Sequence, residues 1–324
     1  MSEQLRMFPD DPGEGRLDAG TPPTGEEEAR PEPLLGPRSP LAEALEEFDT
    51  AMLLKGFTDN TIAAFQADLR ILAGFVPTSR PIGEISTKDL GDFLKYLVRD
   101  RGRPCNPKSF ARRLTTLKVF FGWLAEIGAL PADPAAALPH TPVQTPLPRV
   151  LSEAQVEDAL EAARRLMAAE DPDPRPLLLV ELLLQTGIKK SECMGIHLAH
   201  LDVSNPGEPA LHVRYPQVRQ KYKERGIRLQ PTIVPVLRAY RARYQPAEYL
   251  FECTARNLEY VLRDLAQLAG IPDGISFEML RWTAALRDYK SGMDHEALRR
   301  KLGLSKLRWR ETAEKLERLA EPAL

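Results

Sequence analysis

Six prolines in eighteen residues near the middle of the chain constrain its fold more than any other feature. They lie at positions 131, 134, 139, 142, 146 and 148, within "PADPAAALPHTPVQTPLP". Proline fixes one backbone torsion and donates no backbone hydrogen bond, so neither a helix interior nor a central strand can run through such a segment. We therefore predict two domains, residues 41–138 and 151–324, joined by a proline-rich linker at residues 139–150.

The first forty residues differ in composition from the rest of the chain. They carry nine acidic residues and four arginines, many prolines and glycines, and almost no aromatic residues. Such a segment cannot bury enough apolar surface to offset the entropy that is lost on ordering. We predict a disordered, acidic, proline-rich tail at residues 1–40. Without this tail the formal net charge changes from −2 to +3.

Four amphipathic helices are predicted between residues 41 and 128. Apolar residues recur three and four positions apart in "LAEALEEFDTAMLLKG", "TDNTIAAFQADLRILAGFV", "STKDLGDFLKYLVRDRG" and "NPKSFARRLTTLKVFFGWLAEIG". Thr58 or Asn60 can cap the first turn of the second helix, and Ser86 or Thr87 that of the third. Gly56 and Gly128 end the first and the fourth. The pattern indicates a compact helical domain.

The second domain is predicted to be mainly helical with one hairpin. "PRPLLLVELLLQTG" is apolar on nearly all sides, which is typical of a buried helix. "PALHVRYPQVRQKYKERGIRLQP" instead alternates apolar and polar residues at Leu211, Val213 and Tyr215, and again at Ile227 and Leu229. This period of two predicts a β-hairpin with a strongly basic turn. The fold class is therefore mainly α with a small antiparallel β-sheet.

Membrane and metal-dependent classes find no support in the sequence. No stretch reaches the roughly twenty apolar residues of a membrane helix, and the N-terminus lacks the basic-then-apolar order of a signal peptide, so we expect a cytoplasmic protein. Cys105, Cys193 and Cys253 are scattered without zinc-ligand spacing, and His197 and His200 have no Cys or Glu beside them to complete a site. We expect no metal and no cofactor.

Basic residues cluster in two places that suit the phosphates of double-stranded DNA. On the fourth helix, residues three or four apart share a face that could meet a DNA backbone, although a solvated helix face is an equal alternative. The hairpin turn is denser, and its cations would repel one another without a polyanion to hold. The first cluster is Lys108, Arg112, Arg113 and Lys118, and the second is Arg219, Lys221, Lys223, Arg225 and Arg228.

The order of these segments resembles the tyrosine recombinase, or phage integrase, family from about residue 41 to residue 316. "TDNTIAAFQADLRILAGFV" followed by "FARRLTTLKVFFGWLAEIGALPADPAAAL" is similar to the family's helical, SAM-like core-binding domain. "RVLSEAQVEDAL", "LLLQTGIKKSECMGIHLAHLD", the basic hairpin and "ISFEMLRWTAALRDYKSGMDHEALRRKLGLS" follow in the order of its catalytic domain. The resemblance implies a DNA-binding protein of DNA recombination or integration that needs neither metal nor cofactor.

The resemblance also implies positions for the family's catalytic groups. A tyrosine attacks the scissile phosphate, and two arginines, a lysine and two histidine-type donors stabilise the added negative charge. Here the first arginine position is Lys189 in "TGIKKSE", and the hairpin lysine position is Gln220, followed by Lys221. The motif His-x-x-Arg begins at Glu278 and ends at Arg281. We expect the Glu278 carboxylate to pair with Arg281 or Lys189.

The remaining catalytic positions hold no reactive group. The later histidine or tryptophan position is Leu304, and the tyrosine position falls on Ala313 or its neighbours. No tyrosine occurs after Tyr289, which lies mid-helix in "LRDYKSG", at a place typical of packing. Ser305 and Thr312 carry hydroxyls, but such a group needs a base to become a nucleophile, and a helix cap or surface position explains them. The remnant positions are Lys189, Lys221, Glu278, Arg281, Leu304 and Ala313.

The leading hypothesis is a pseudoenzyme, a DNA-binding member of this family that does not cleave DNA and acts as an accessory or regulator of recombination or as a repurposed DNA binder. Such a protein would lie with the nucleoid in the cytoplasm. Its predicted DNA-binding residues are Lys108, Arg112, Arg113, Lys118, Lys189, Arg219, Lys221, Lys223, Arg225 and Arg281.

Two alternatives remain open at this stage. The first is an active recombinase or integrase with an atypical nucleophile or one supplied by a partner chain. The second is a protein-interaction module. Its surface would be the last helix, where Trp309, Ala313, Leu316 and Ala320 recur at helical spacing. That face could dock on a second copy or another recombinase, or pack on its own domain.

Overall fold

The computed structural model describes residues 35–102, 105–139 and 146–321, with the side chain of Arg219 excepted. The chain divides into two compact units between residues 145 and 146, and each is described by itself. Residues 1–34 of the predicted tail and residues 140–145 of the predicted linker lie outside the described residues. None of the described helices has the length and apolarity that crossing a bilayer requires.

The first unit contains the four predicted helices, named α1 to α4 in chain order. Thr58, Ser86 and Asn106 cap the last three, because each side chain accepts a hydrogen bond from a backbone N–H of the first turn. A short 3₁₀ turn at Ile82–Glu84 precedes the third helix. The helices span Leu41–Leu54, Asp59–Ala73, Thr87–Arg99 and Pro107–Glu126.

The core of the first unit contains a cluster of aromatic side chains. Phe48 on α1 meets Phe120 on α4 edge-on with ring centroids 5.2 Å apart, and Trp123 lies 5.1 Å from Phe48. Phe93 on α3 is also fully buried. Because each of these side chains removes a large apolar area from water, a few of them hold the four helices together.

The ordered part of the first unit begins before residue 41, where the sequence predicted a disordered tail. Leu35 is buried in the core. Ile82 N–H donates to the Ser39 carbonyl and Gly83 N–H to the Pro37 carbonyl, each at 2.9 Å. Residues 82 and 83 supply the N–H donors and residues 35–40 supply the carbonyl acceptors, so the two segments can pair despite the prolines. The boundary at residue 40 was wrong for this reason.

The second unit is built of helices α5 to α12 and strands β1 to β3. The helices span Glu153–Met167, Arg175–Thr186, Lys190–Met194, Ile233–Tyr244, Ala255–Leu268, Phe277–Lys290, His295–Lys301 and Lys306–Ala320. The strands span Leu201–Asp202, Ala210–Val213 and Arg225–Arg228, and a 3₁₀ turn at Val218–Lys223 joins the last two.

The three strands form one antiparallel sheet in the order β1-β2-β3. In the predicted hairpin, Leu211 lies opposite Ile227 and Val213 lies opposite Arg225. The prediction of a mainly helical chain with a small antiparallel sheet is therefore confirmed.

The apolar helix α6 lies at the centre of the second unit and packs against α5, α8 and α10. It ends at Gly187, whose φ of 58° is left-handed. A Cβ at that glycine would lie 2.9 Å from Cδ2 of Leu302. Both the torsion and the close approach require glycine there, so α10 and the end of α11 can pack tightly on the end of α6.

The last helix, α12, packs on its own unit, which was one of the two interpretations of its apolar face. Leu316 is fully buried beside Leu298 of α11. The Tyr289 ring stacks on His295 with centroids 5.5 Å apart, and His295 meets Trp309 of α12 at 5.7 Å. Tyr289 is thus a packing residue, as its sequence position predicts.

Near the start of the second unit, part of the predicted linker is held in place. Arg149 pairs with Asp273 at 3.0 Å, and Val150 packs on the apolar cluster around α11 and α12. Leu151 N–H then donates to the Thr283 hydroxyl at 2.9 Å. The chain is therefore attached to this unit two residues before the predicted domain start at residue 151.

Candidate nucleic-acid interface

A cleft of about 390 Å³ opens at the start of α10, and we call it the α10 cleft. It brings together three of the predicted remnant positions from two parts of the sequence, Lys189 before α7 and Glu278 and Arg281 on α10. Lys190 and Glu259 form one side of the cleft through a 2.8 Å ion pair. The fold therefore brings these three positions together at one cleft.

Lys189 is a half-buried cation in a positive neighbourhood. Burial lowers the pKa of its ammonium group, the nearby Glu192 carboxylate opposes that shift, and the charges of Arg281, Lys223 and Arg225 add to it. Its backbone N–H donates to Glu192 Oε2 at 2.8 Å, which places it at the start of α7. An anion bound in the cleft would favour the charged lysine, so the site is suited to a phosphate.

The Arg281 guanidinium forms hydrogen bonds with two backbone carbonyl groups. It donates from Nη1 to the Gly187 carbonyl and from Nη2 to the Leu302 carbonyl, the latter at 2.8 Å. Burial lowers the pKa of Arg281, although arginine stays charged at any ordinary pH. The side chain ties α10 to the ends of α6 and α11. Two of its five N–H donors are therefore used inside the protein.

Glu278 does not make the predicted pair. Its carboxylate accepts a hydrogen bond from Trp282 Nε1 at 2.7 Å, whereas the expected partners were Arg281 or Lys189. Trp282 lies four residues further along the same helix face, whereas the Arg281 guanidinium points toward backbone carbonyls. The exposed carboxylate leaves a negative charge in the cleft, where the family has a proton donor.

Arg225 is not the surface cation that the sequence predicted. Its guanidinium binds both oxygens of Glu192, at 3.1 and 3.0 Å, and the two side chains are 8% and 1% exposed. Tyr215 donates its hydroxyl to the same carboxylate, and Arg225 Nε donates to the Lys301 carbonyl at 2.6 Å. The pair joins the hairpin to α7 and α11. We therefore correct the DNA-binding assignment of Arg225 to a structural one.

The ion pair also determines the protonation of Glu192. Burial alone would raise the pKa of this carboxyl, but the hydrogen bonds and positive charge of Arg225 outweigh it and lower the pKa. The carboxylate therefore stays charged, and it holds both the hairpin and the backbone of Lys189. Buried pairs of this kind fix geometry because neither partner tolerates the loss of the other.

The turn of the hairpin presents cations together with apolar side chains. Lys221 is exposed, and Lys223 lies with Nζ 5.1 Å from the centroid of the Tyr222 ring. Val218 and Tyr222 are 79% and 71% exposed. Gln220, at the lysine position of the family, donates its side-chain amide to Gln217 at 2.7 Å. Two lysines beside an exposed aromatic ring suit a nucleic-acid surface, and the apolar residues had been missed.

In the first unit, two of the four predicted DNA-binding cations turn inward. Arg112 and Arg113 both pair with Asp68 of α2, at 2.9 and 3.3 Å, and Asp68 is buried. Arg113 is only 12% exposed and also donates to the Cys105 sulfur at 2.6 Å. Burial raises the pKa of Asp68 even though both arginines oppose the shift. Arg113 is therefore reassigned from DNA binding to a core ion pair.

The other two cations of this helix remain at or near the surface. Lys108 is exposed in the first turn of α4, and Lys118 is half-buried with Nζ 3.5 Å from the Ala136 carbonyl. Arg112, although paired, retains 40% of its side-chain exposure. These three side chains stay candidates for phosphate contact, and the prediction for them is unchanged.

A cationic face on α9 was missed in the sequence. Tyr260 receives a hydrogen bond on its hydroxyl from Arg256 Nε at 2.6 Å, and the Arg263 guanidinium lies 4.7 Å from its ring centroid. Glu259, on the same helix, lines the α10 cleft. The spacing i, i+4 and i+7 marks one helix face, so periodicity applied to charged residues would have found it.

The last two remnant positions hold the apolar residues Leu304 and Ala313. Leu304 is half-buried and packs on the cluster around α11 and α12, and Ala313 lies on α12. Ser305 caps α12 by accepting from Arg308 N–H at 3.3 Å, and the Thr312 hydroxyl donates to the Arg308 carbonyl at 2.9 Å. Both hydroxyls therefore form hydrogen bonds with the backbone of α12.

Two family models match the chain. Residues 45–128 match the N-terminal SAM-like domain of phage integrases, and residues 149–309 match the phage integrase family. A tyrosine recombinase XerC from Erythrobacter litoralis is 30% identical over 80% of this chain and 83% of its own length. Another, from Mycobacterium sp. strain JLS, is 29% identical over 82% of this chain and 92% of its own.

Solved structures agree on the fold. A lambda integrase dimer bound to a COC′ core site superposes with a TM-score of 0.68 at 15% identity, covering 88% of this chain and 80% of that one. The XerH recombinase bound to a palindromic difH substrate superposes with a TM-score of 0.66 at 16% identity, covering 86% and 82%. The two domain models and the relatives, which cover about four fifths of the chain, together place it in the tyrosine recombinase, or phage integrase, family.

Proposed function

We propose that this protein binds double-stranded DNA in a recombination process without cleaving it, as an accessory or regulator of a catalytically complete recombinase. The observation that carries the proposal is the chemistry of the α10 cleft. Lys189 and Arg281 remain as cations, whereas Glu278, Leu304 and Ala313 occupy the positions of the proton donors and the nucleophile. The cations can attract a phosphate, whereas Leu304 and Ala313 carry no group that could attack or protonate it, and the negative charge of the Glu278 carboxylate repels it.

DNA as the partner is supported by the surface of the second unit. Lys221 is exposed and Lys223 is half-buried on the hairpin turn, and the α9 face adds Arg256 and Arg263. The lambda integrase relative is a dimer bound to a COC′ core site, and we extend that mode of binding to this chain. Exposed cations bind phosphates by releasing counterions, so the affinity should fall steeply with salt.

Binding and cleavage are tested separately on the full-length protein. A nicked suicide duplex, carrying sites from beside its own gene, is incubated with the protein, and native gels measure affinity at several salt concentrations. We expect salt-dependent binding. Replacing Lys221 and Lys223 with glutamine should reduce the slope of log affinity against log salt by about two, because each lysine neutralises about one phosphate. The same change at Arg238, exposed on α8, is the matched control and should leave the slope unchanged.

Denaturing gels of the same reactions measure covalent protein–DNA adducts, with an active recombinase on its own site as positive control. We expect no adduct. An adduct would overturn the non-cleaving role and favour an atypical nucleophile, which peptide mapping would locate. Failure to bind DNA, or binding with no salt dependence, would overturn the DNA-binding role and favour a protein-interaction module.

A further inference from the structure

The tip of the hairpin presents an aromatic ring that phosphate contacts alone do not use. We define the hairpin tip as the 3₁₀ turn at Val218–Lys223, and Tyr222 within it is 71% exposed. Phosphates are bound by cations and N–H donors, whereas a phenol ring offers a flat apolar face. Scattered apolar residues on a surface need no explanation, so what this ring can bind depends on how it is held and on what lies beside it.

The base of the hairpin tip is closed by Glu224. Its carboxylate accepts hydrogen bonds from Arg214 Nη1 at 3.1 Å and from Tyr215 N–H at 3.0 Å, and its own N–H donates to the Lys221 carbonyl at 2.9 Å. The hydrogen bonds from Tyr215 N–H and from Arg214 lower the pKa of Glu224, so the carboxylate is charged at neutral pH. The ring is therefore presented on a backbone whose conformation is set before a ligand arrives, which reduces the entropy lost on binding.

Two lysines flank the ring and make its surroundings positive. Lys223 Nζ lies over the Tyr222 ring, 5.1 Å from the centroid, a distance at which an ammonium group is attracted to an aromatic face. Lys221, on the other side of Tyr222 in the sequence, is exposed. Because most of Tyr222 remains accessible beside this ammonium group, the ring keeps a face for a second planar group.

A planar face between two cations matches one component of DNA, an unstacked base with its neighbouring phosphates. In an intact duplex each base is covered on both faces by its neighbours, so a protruding ring meets only phosphates and groove edges. In a single-stranded gap the base faces are free, and a base that stacks on an aromatic side chain strengthens binding while nearby cations hold the backbone.

We propose that Tyr222 stacks on an unpaired base, so that this protein prefers duplex DNA interrupted by a single-stranded gap to intact duplex DNA. Lys221 and Lys223 contact the phosphates on either side of that base. An apolar groove of another protein would also accept the ring, but it would leave the two lysine charges without a counterpart. This inference rests on the DNA-binding role proposed above and names the form of DNA that the hairpin tip selects.

Fluorescence anisotropy of the full-length protein compares a labelled duplex with the same duplex carrying a short single-stranded gap. We expect the gapped duplex to bind at least about fivefold more tightly, because stacking of one base on an aromatic side chain contributes at least that factor. Tyr222→Ala should lose the preference, and so should Tyr222→Leu, which keeps apolar area without a planar face. Tyr222→Phe should keep it. Leu307→Ala, which removes an exposed apolar side chain from α12, is the control and should leave both affinities unchanged.

Equal affinity of the unaltered protein for gapped and intact duplex, with salt-dependent binding of both, would overturn this proposal and leave the DNA-binding role standing. Binding to neither would overturn both. A preference that persists in Tyr222→Ala or Tyr222→Leu would also overturn the proposal, since it would come from the flexibility of the gapped duplex or from apolar contact alone. Self-association that Tyr222→Ala abolishes, in a protein with no preference for the gap, would overturn it and indicate that the ring packs on a second copy.

Discussion

Replacing Arg225 with methionine separates its structural role from the DNA-binding role that the sequence suggested. The change would leave the Glu192 carboxylate buried and uncompensated, since that side chain is only 1% exposed and Arg225 binds both of its oxygens. Breaking a buried ion pair by removing one partner costs about 3–5 kcal/mol of unfolding free energy. In a unit of about this size, 1 kcal/mol shifts the melting temperature by about 2–4 °C, so we expect a loss of about 6–20 °C.

The second change, Glu192→Gln in the same protein, should recover most of that loss. A glutamine carries no charge that must be compensated, and its amide oxygen can still accept the hydrogen bond from Lys189 N–H. Lys221→Met removes an exposed cation from the same hairpin and is the matched control, with an expected change within about 0.5 kcal/mol.

Thermal unfolding followed by circular dichroism, together with DNA affinity below the melting temperature, distinguishes the two roles. A structural role for Arg225 would be refuted if Arg225→Met had the same melting temperature as the Lys221→Met control and lost only DNA affinity. It would also be refuted if the double variant were no more stable than Arg225→Met alone.

Three further changes test other parts of the structure by thermal melting. Gly187→Ala should cost about 1–3 kcal/mol because its left-handed torsion and a steric clash act together, whereas Gly270→Ala, left-handed but in open space, should cost only about 1 kcal/mol; equal losses would contradict the close approach. Arg113→Ala should destabilise the first unit by about 1–3 kcal/mol with little effect on DNA affinity, and Lys108→Ala should do the reverse; the opposite order would restore Arg113 to the DNA surface. Glu181→Gln should melt at a higher temperature than the unaltered protein at pH 8, and the difference in melting temperature should be smaller at pH 5. Burial raises the pKa of Glu181, so protonation at lower pH removes the buried charge from the unaltered protein. A difference that does not change with pH would show that the charge plays no part.

The sequence predicted secondary structure well where local chemistry decides it. Thr58 and Ser86 were among the expected caps, and both accept hydrogen bonds from the first turn of their helices. The hairpin register follows from alternation, because Leu211 and Ile227 must face the same core. Gly187 indicated the end of α6 because a glycine readily adopts the left-handed torsion that ends a helix, which is a property of that residue alone.

The sequence predicted less about which charged residues face outward. Arg113 and Lys108 look equivalent on a helix pattern, yet one binds a buried carboxylate of α2 and the other is exposed. Periodicity within α4 contains no information about Asp68, which comes from another helix. Glu278 likewise had more than one candidate partner, and the directions of the side chains determined that it pairs with Trp282.

By itself, the sequence determined the positions of the helices and the hairpin, the resemblance to the family, and the absence of any tyrosine after Tyr289. These features depend on interactions between residues that are close along the chain, or on composition alone. Only the tertiary structure decided that Arg225 pairs with Glu192, 33 residues away, and that Glu181 lines a polar cavity. Burial and partner choice arise when distant segments pack, because desolvation makes a charge depend on whatever the fold places beside it.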